Sequence, residues 1–144
     1  GTLIVMGTYY IQNSDLTDVS VLSGIVIGVL SSLILFVTSF PDHDADKEKG
    51  RRTLVILLGR QKAVSIFYIF PIISYGIIIG CVGMSMIPVF CLISLAAVPI
   101  AINSIKKLRL SISDENTIIS AMRSTLMFSR ITGTLFVIGF LIGY

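Results

Sequence analysis

Two aspartates four residues apart, Asp42 and Asp46, stand in the run Phe40-Pro-Asp-His-Asp-Ala-Asp-Lys-Glu-Lys-Gly-Arg-Arg-Thr-Leu54, beside Lys47, Lys49, Arg51 and Arg52. On a helix, a spacing of four turns a side chain by about 40°, so these carboxylates share a face one turn apart while Asp44 points away. Like charges stacked in this way repel, and a divalent cation between them lifts the repulsion. Magnesium binds through one or two carboxylates, keeps several waters and completes its shell with substrate phosphates. The pair therefore asks for a phosphorylated ligand. The neighbouring cations place positive charge beside a leaving diphosphate, and arginine can hold its oxygens in bidentate fashion. Pro41 is expected to end the preceding helix and Gly50 to end the acidic turn, holding both carboxylates at a helix break facing a cavity. A solvated connector between two apolar segments has the same composition, and pattern alone leaves both readings open.

The elements that must position this segment are apolar. In 144 residues, 54% are hydrophobic and only 13% charged, with a mean hydropathy of +0.94; a soluble domain carries about 25% charged residues. Long apolar blocks of this kind belong in a lipid bilayer. Val19 to Phe40 is the first complete span, introduced by Asn13-Ser14-Asp15-Leu16-Thr17-Asp18, where either aspartate is a candidate cap. Ala63 to Val82 is the second, with a kink expected at Pro71, and Ile87 to Ile105 the third, with Pro88 at its start and Pro99 near its end. The fourth begins at the capping sequence Ser113-Asp114-Glu115-Asn116 and is fully apolar from Ile131 to Tyr144. Gly1 to Gln12 is too short to cross a membrane and reads as the end of a helix. The fold class is all-α: a polytopic transmembrane helical bundle of about four full spans plus the end of a fifth.

Charge orients the bundle. Basic residues gather in 41–62, with Arg60 and Lys62 joining the four already named, and again at Lys106, Lys107 and Arg109; the connections at 12–18 and 83–86 have none. The positive-inside rule puts the two basic connections, including the aspartate-rich loop, on the cytoplasmic side and the C-terminus outside. Nucleic-acid binding is set aside despite the net charge of +3, because so few cations confined to short loops build no basic face. Cys81 and Cys91 lie in apolar stretches, and with a single histidine, His43, they make neither a disulfide scaffold nor a zinc site. Tyr9 and Tyr10 can stabilise a cation through a ring face, although interfacial anchoring is the commoner use of such residues. His43 sits between aspartates on a wet loop, where solvation is favoured over acid–base work. Arg130 falls one to two turns inside the bilayer if the last span ends at Tyr144, which points it at a bundle interior or cavity. The pairs Gly24/Gly28 and Gly76/Gly80 read as close helix packing.

The run from Phe40 through Asp42, Asp46, Gly50, Arg51, Arg52, Thr53 and Leu54 to Gly59-Arg60 closely resembles the second aspartate-rich motif of the UbiA superfamily of intramembrane prenyltransferases, D-x-x-x-D-x-x-x-G followed by basic-T-L and a later L-G. It is most similar to the branch that prenylates 1,4-dihydroxy-2-naphthoate in menaquinone biosynthesis. Gly1 to Gln12 looks like the end of the family's fifth helix and Ser129-Arg-Ile-Thr-Gly133 like part of its ninth, so the resemblance covers essentially residues 1–144. It implies transfer of a polyprenyl group from a polyprenyl diphosphate to an aromatic acceptor, assisted by Mg²⁺, in an integral protein of a prokaryotic cell membrane. Asp42 and Asp46 then take the metal-bridging and catalytic role. Arg51 and Arg52 contact the diphosphate, with Lys47, Lys49 and Tyr10 as further substrate-binding candidates.

The sequence also departs from the family. The first aspartate-rich motif has no counterpart, because the only acids before Asp42 are Asp15 and Asp18, on the far side of the membrane in this topology. The chain is thus expected to be the C-terminal part of the enzyme, with the missing N-terminal helices as its partner and no turnover alone. Thr38-Ser39 stands where the menaquinone branch is expected to carry Asn-Glu. The alternatives are a non-catalytic membrane subunit or transporter half, or a UbiA-type enzyme acting on a glycerol-phosphate lipid or 4-hydroxybenzoate.

Overall fold

A computed structural model describes residues 1–111 and 116–143. The chain forms α1 (Thr2–Asn13), α2 (Asp18–Thr38), α3 (His43–Glu48), α4 (Leu54–Leu58), α5 (Arg60–Phe67), α6 (Ile69–Gly83), a 3-10 segment η1 (Val89–Ala97), α7 (Val98–Leu110) and α8 (Asn116–Gly143). No strand occurs among the described residues. Four stretches are long and apolar enough to cross a membrane: Asp18–Thr38, Arg60–Gly83, Val89–Leu110 and Thr117–Gly143. These are the four spans read from the sequence, and the chain is an integral membrane helical bundle.

The caps explain where helices begin. Thr17, not Asp15 or Asp18, caps α2: its hydroxyl accepts from the Ser20 N–H, and the Ser20 side chain accepts from the Thr17 N–H, a reciprocal capping box. Asp18 is already the first helical residue, where its charge suits the helix dipole. Asp15 instead accepts from the Leu16 N–H at 2.7 Å. Thr17→Ala is expected to destabilise the start of α2 by about 1 kcal/mol, read as faster amide exchange at residues 18–21. The expected cap at Ser113 to Glu115, like the far end at Tyr144, lies outside the described residues.

Prolines set the breaks. Pro41 cannot donate to Val37, and α2 stops at Thr38. Pro71 likewise leaves the Phe67 carbonyl without its helical donor, and the second span breaks one turn upstream, between α5 and α6. The third span, expected as one helix, is a 3-10 segment followed by α7. Nine residues are long for that geometry. Pro88 precedes the segment, and Pro99, near the start of α7, removes the donor that would bond the Leu95 carbonyl.

α8 is the central element, packing on η1, α7 and α2, while α1 lies along α2 and α2 also meets α6. Phe128, Thr125, Thr132 and Phe136 bury on α8, and Leu33 and Val37 on α2, with Phe40 buried just past its end. Backbones approach closely where glycine allows. A side chain at Gly28 would collide with Thr2 of α1, so Gly24/Gly28 does mark helix packing. Gly76/Gly80 does not, since open space surrounds both positions. Another close approach involves a pair the sequence reading passed over: a Cβ at Gly139 would lie 2.5 Å from the Cys91 Cα, and one at Gly143 would strike Pro88.

Several hydroxyls inside the spans are satisfied internally, as an apolar solvent demands, whereas those of Ser23 and Ser74 are buried without a partner. Ser31, Ser104, Ser124 and Thr125 donate to the carbonyl four residues back. Tyr75 OH reaches both the Ser94 carbonyl and Thr132 Oγ1 at 3.4 Å, tying α6 and η1 to α8.

Candidate functional site

The aspartate segment is anchored at its start by packed aromatic side chains. Phe40 is buried, packs edge-on against Phe36, and Phe36 meets Phe70 of α6 at 5.5 Å. This aromatic anchor fixes the point from which Pro41 leads into α3. Asp42 caps α3 without a side-chain bond to the backbone, and its carbonyl accepts from the Asp46 N–H at 2.8 Å. Asp42 and Asp46 therefore stand one turn apart, as their spacing requires. The expected orientation of Asp44 lies outside the described side chains.

Gly50 ends this turn with φ +70°, a left-handed conformation that suits glycine. The Gly50 N–H donates to the Lys47 carbonyl at 3.1 Å and the Arg51 N–H to the Asp46 carbonyl at 2.9 Å, the paired bonds of a Schellman motif. That closure returns Arg51 to Asp46. Arg51 Nη1 donates to Asp46 Oδ1 at 3.1 Å, with the Arg51 side chain 70% exposed and that of Asp46 only 13%. Thr53 then caps α4, accepting from the Ile56 N–H, and Gly59 at φ +78° allows the turn into α5. Each punctuating residue of the motif thus has a local structural task.

The other candidates are placed unevenly. Asp42, Lys47, Lys49, Arg51 and Arg52 are exposed around α3, and His43, on its first turn, is partly buried. Tyr10 is not brought to them. It is exposed near the C-terminal end of α1, beside the start of α2, and α2, 21 residues long, rises about 31 Å before the aspartate segment begins. Tyr9 lines a groove of about 510 Å³ at that far end with Val5, Ser20, Ser23 and Phe140. The second groove, about 450 Å³ between α2 and α8, is bordered by Ser31, Ser129, Arg130 and Thr134. Neither is lined by Asp42 or Asp46, so the pair faces neither groove, with Asp42 exposed and Asp46 partly buried.

Arg130 stands 13 residues before Gly143, about 20 Å along the helix. It falls within the apolar span Thr117–Gly143. Arg130→Leu is expected to improve insertion of the α8 span by about 3 to 4 kcal/mol, measured by glycosylation mapping of the isolated segment. Sequence reading missed two polar ties. One is the Tyr75–Ser94–Thr132 cluster, for which scattered hydroxyls in apolar runs give no periodic signal. The other is Lys107, whose Nζ donates to Ser124 at 3.0 Å and joins α7 to α8.

A metal fits this arrangement in one specific way. Among the described residues, no three His, Cys, Asp or Glu side chains converge. Two carboxylates one turn apart are a partial, hard-oxygen donor set of the kind magnesium completes with waters and phosphate oxygens.

The chain is thus a membrane-embedded helical bundle with an aspartate-rich, arginine-containing turn at the end of a span. The chain belongs to the UbiA prenyltransferase family, which it matches over residues 1–131. It is 28% identical over 144 residues to the 1,4-dihydroxy-2-naphthoate octaprenyltransferase of Bacillus subtilis (strain 168), covering all of this chain and 46% of the relative. The protein of the same name from Escherichia coli (strain K12) is 35% identical over 63 residues, 44% of this chain and 20% of the relative. That from Haemophilus influenzae (strain ATCC 51907 / DSM 11121 / KW20 / Rd) is 36% identical over 62 residues, 43% and 20%. The chain therefore spans less than half the length of these curated relatives. No solved structure matches it.

Proposed function

We propose that a polypeptide of the relatives' length containing this chain transfers a polyprenyl group from a prenyl diphosphate to an aromatic acceptor of the 1,4-dihydroxy-2-naphthoate type, in a prokaryotic cell membrane with 41–62 facing the cytoplasm. The observation that carries the reading is the pairing of Asp42 and Asp46 one turn apart, with Arg51 folded back onto Asp46. The names of three relatives support the acceptor and the prenyl donor.

In this reading Asp42 and Asp46 hold Mg²⁺ against the diphosphate. The metal, when bound, neutralises charge that builds on the leaving group as the allylic carbon–oxygen bond breaks. Arg51 and Arg52 bind diphosphate oxygens in bidentate fashion, and Lys47 and Lys49 add positive charge around the turn. Tyr10, at the other end of α2, is left as an interfacial anchor.

The test is binding of a labelled long-chain prenyl diphosphate to detergent-solubilised protein, with Mg²⁺ or with EDTA. Binding at least about tenfold tighter with Mg²⁺ is expected; equal binding in both would sink the proposal. The exposed position of the aspartate turn favours one second reading, a non-catalytic membrane subunit in which 41–62 is a solvated connector. Its signature is normal assembly and no change in any ligand affinity when Asp42 and Asp46 are neutralised.

A further inference from the structure

We infer that Arg51 is a built-in counter-ion for Asp46 that competes with the metal and is transferred to the diphosphate when metal and donor bind. This rests on the proposed metal-binding role of Asp42 and Asp46.

The argument begins with the backbone. Gly50, at φ +70°, closes α3 so that the Arg51 N–H bonds the Asp46 carbonyl at 2.9 Å. The arginine thus starts from a point held against the same residue that its side chain reaches. Its guanidinium occupies Asp46 Oδ1 at 3.1 Å. Removing the repulsion between Asp42 and Asp46 calls for one positive partner, and in the free protein Arg51 is that partner.

The two ends of the pair are not equivalent. Asp46 is largely enclosed, at 13% exposure, whereas Arg51 is 70% exposed and faces solvent along most of its length. Any exchange of partners therefore moves the arginine and leaves the carboxylate in place. A divalent ion bound between Asp42 and Asp46 needs the oxygens of Asp46 and repels a guanidinium a few ångströms away, so both cannot hold that carboxylate equally well. A diphosphate arriving with the metal offers the displaced guanidinium a planar pair of acceptors. Arg51 is a positioning residue before the exchange and a substrate-binding residue after it. It restrains metal binding when no diphosphate is present and strengthens it when one is.

The experiment measures Mn²⁺ alone, by electron paramagnetic resonance of the free ion, against the detergent-solubilised chain and its variants, and then repeats the titration with inorganic diphosphate. Arg51→Gln is expected to tighten Mn²⁺ binding about five- to tenfold without diphosphate, because the competitor is gone, and to reduce the gain that diphosphate brings. Lys62→Gln removes a cation from the same segment and separates a general charge effect from the specific one. It is expected to leave Mn²⁺ affinity within about twofold. Arg51→Lys keeps the charge without the fork and is expected to fall between wild type and Arg51→Gln. Unchanged or weaker Mn²⁺ binding in Arg51→Gln, or equal tightening in Lys62→Gln, overturns the counter-ion role. Asp46→Asn distinguishes the two levels: if it binds Mn²⁺ like wild type, the metal site itself fails, whereas loss of binding there with no effect of Arg51→Gln removes only the exchange.

Discussion

Asp46→Asn is expected to weaken binding of a long-chain prenyl diphosphate in Mg²⁺ by at least about tenfold, down to the affinity found in EDTA, because the metal's contribution is what the substitution removes. The substitution keeps the side chain's size and one oxygen acceptor but removes the charge that makes the pair with Asp42 a hard, dianionic donor set. It also leaves Arg51 without the partner it contacts at 3.1 Å, so a free cation remains on the turn. Binding measured in EDTA should hardly change, since what remains there is the contact of basic side chains with diphosphate. The fold should persist, because the turn is held by Phe40 in the core and by the backbone bonds around Gly50. Asp46→Glu, with the charge restored one methylene further out, is expected to recover part of the loss. A change smaller than about threefold in Asp46→Asn would argue that 41–62 is only a connector.

The largest expected effect on stability lies far from this turn. At Gly139 a methyl group would sit 2.5 Å from the Cys91 Cα and 2.7 Å from the Cys91 nitrogen, both backbone atoms of η1 that have no rotamer to escape by. Gly139→Ala therefore has to push α8 away from η1. Overpacking of this kind costs about 1 to 3 kcal/mol, at the upper end here because the Tyr75–Ser94 and Tyr75–Thr132 contacts cross the same junction. A drop of about 5 °C or more in the detergent melting midpoint is expected. Gly76→Ala is the matched control: nothing lies within 4 Å of that position, and alanine is the better helix former by up to about 1 kcal/mol. Equal melting points for the two variants would contradict the packing described for α8 and η1.

Much of the fold could be read directly from residue order. The four spans follow from unbroken apolar length, since a bilayer core admits little else, and that signal does not depend on neighbours. Pro41 and Pro71 broke their helices one turn upstream, because a missing N–H and a ring clash are local facts. The aspartate spacing on a single turn was legible for the same reason. Capping was harder to assign: Thr17 prevailed over two nearby aspartates through its reciprocal bonds with Ser20, a choice composition alone does not make. Tyr10 was grouped with the site on residue type and then separated from it by the length of α2.

Which residues meet across helices was decided only in three dimensions. Two G-x-x-x-G pairs looked alike in sequence, yet Gly24/Gly28 is pressed against α1, Gly76/Gly80 faces open space, and a further close approach to backbone falls at Gly139. The third span became a 3-10 segment against α8 followed by an α-helix. Sequence by itself determined what each segment can be: its length, its solvent, its breaks and the charges it carries. Tertiary structure alone decided partners, because contact depends on the relative rotation and depth of helices, which a period of 3.6 residues leaves free until another surface packs against them.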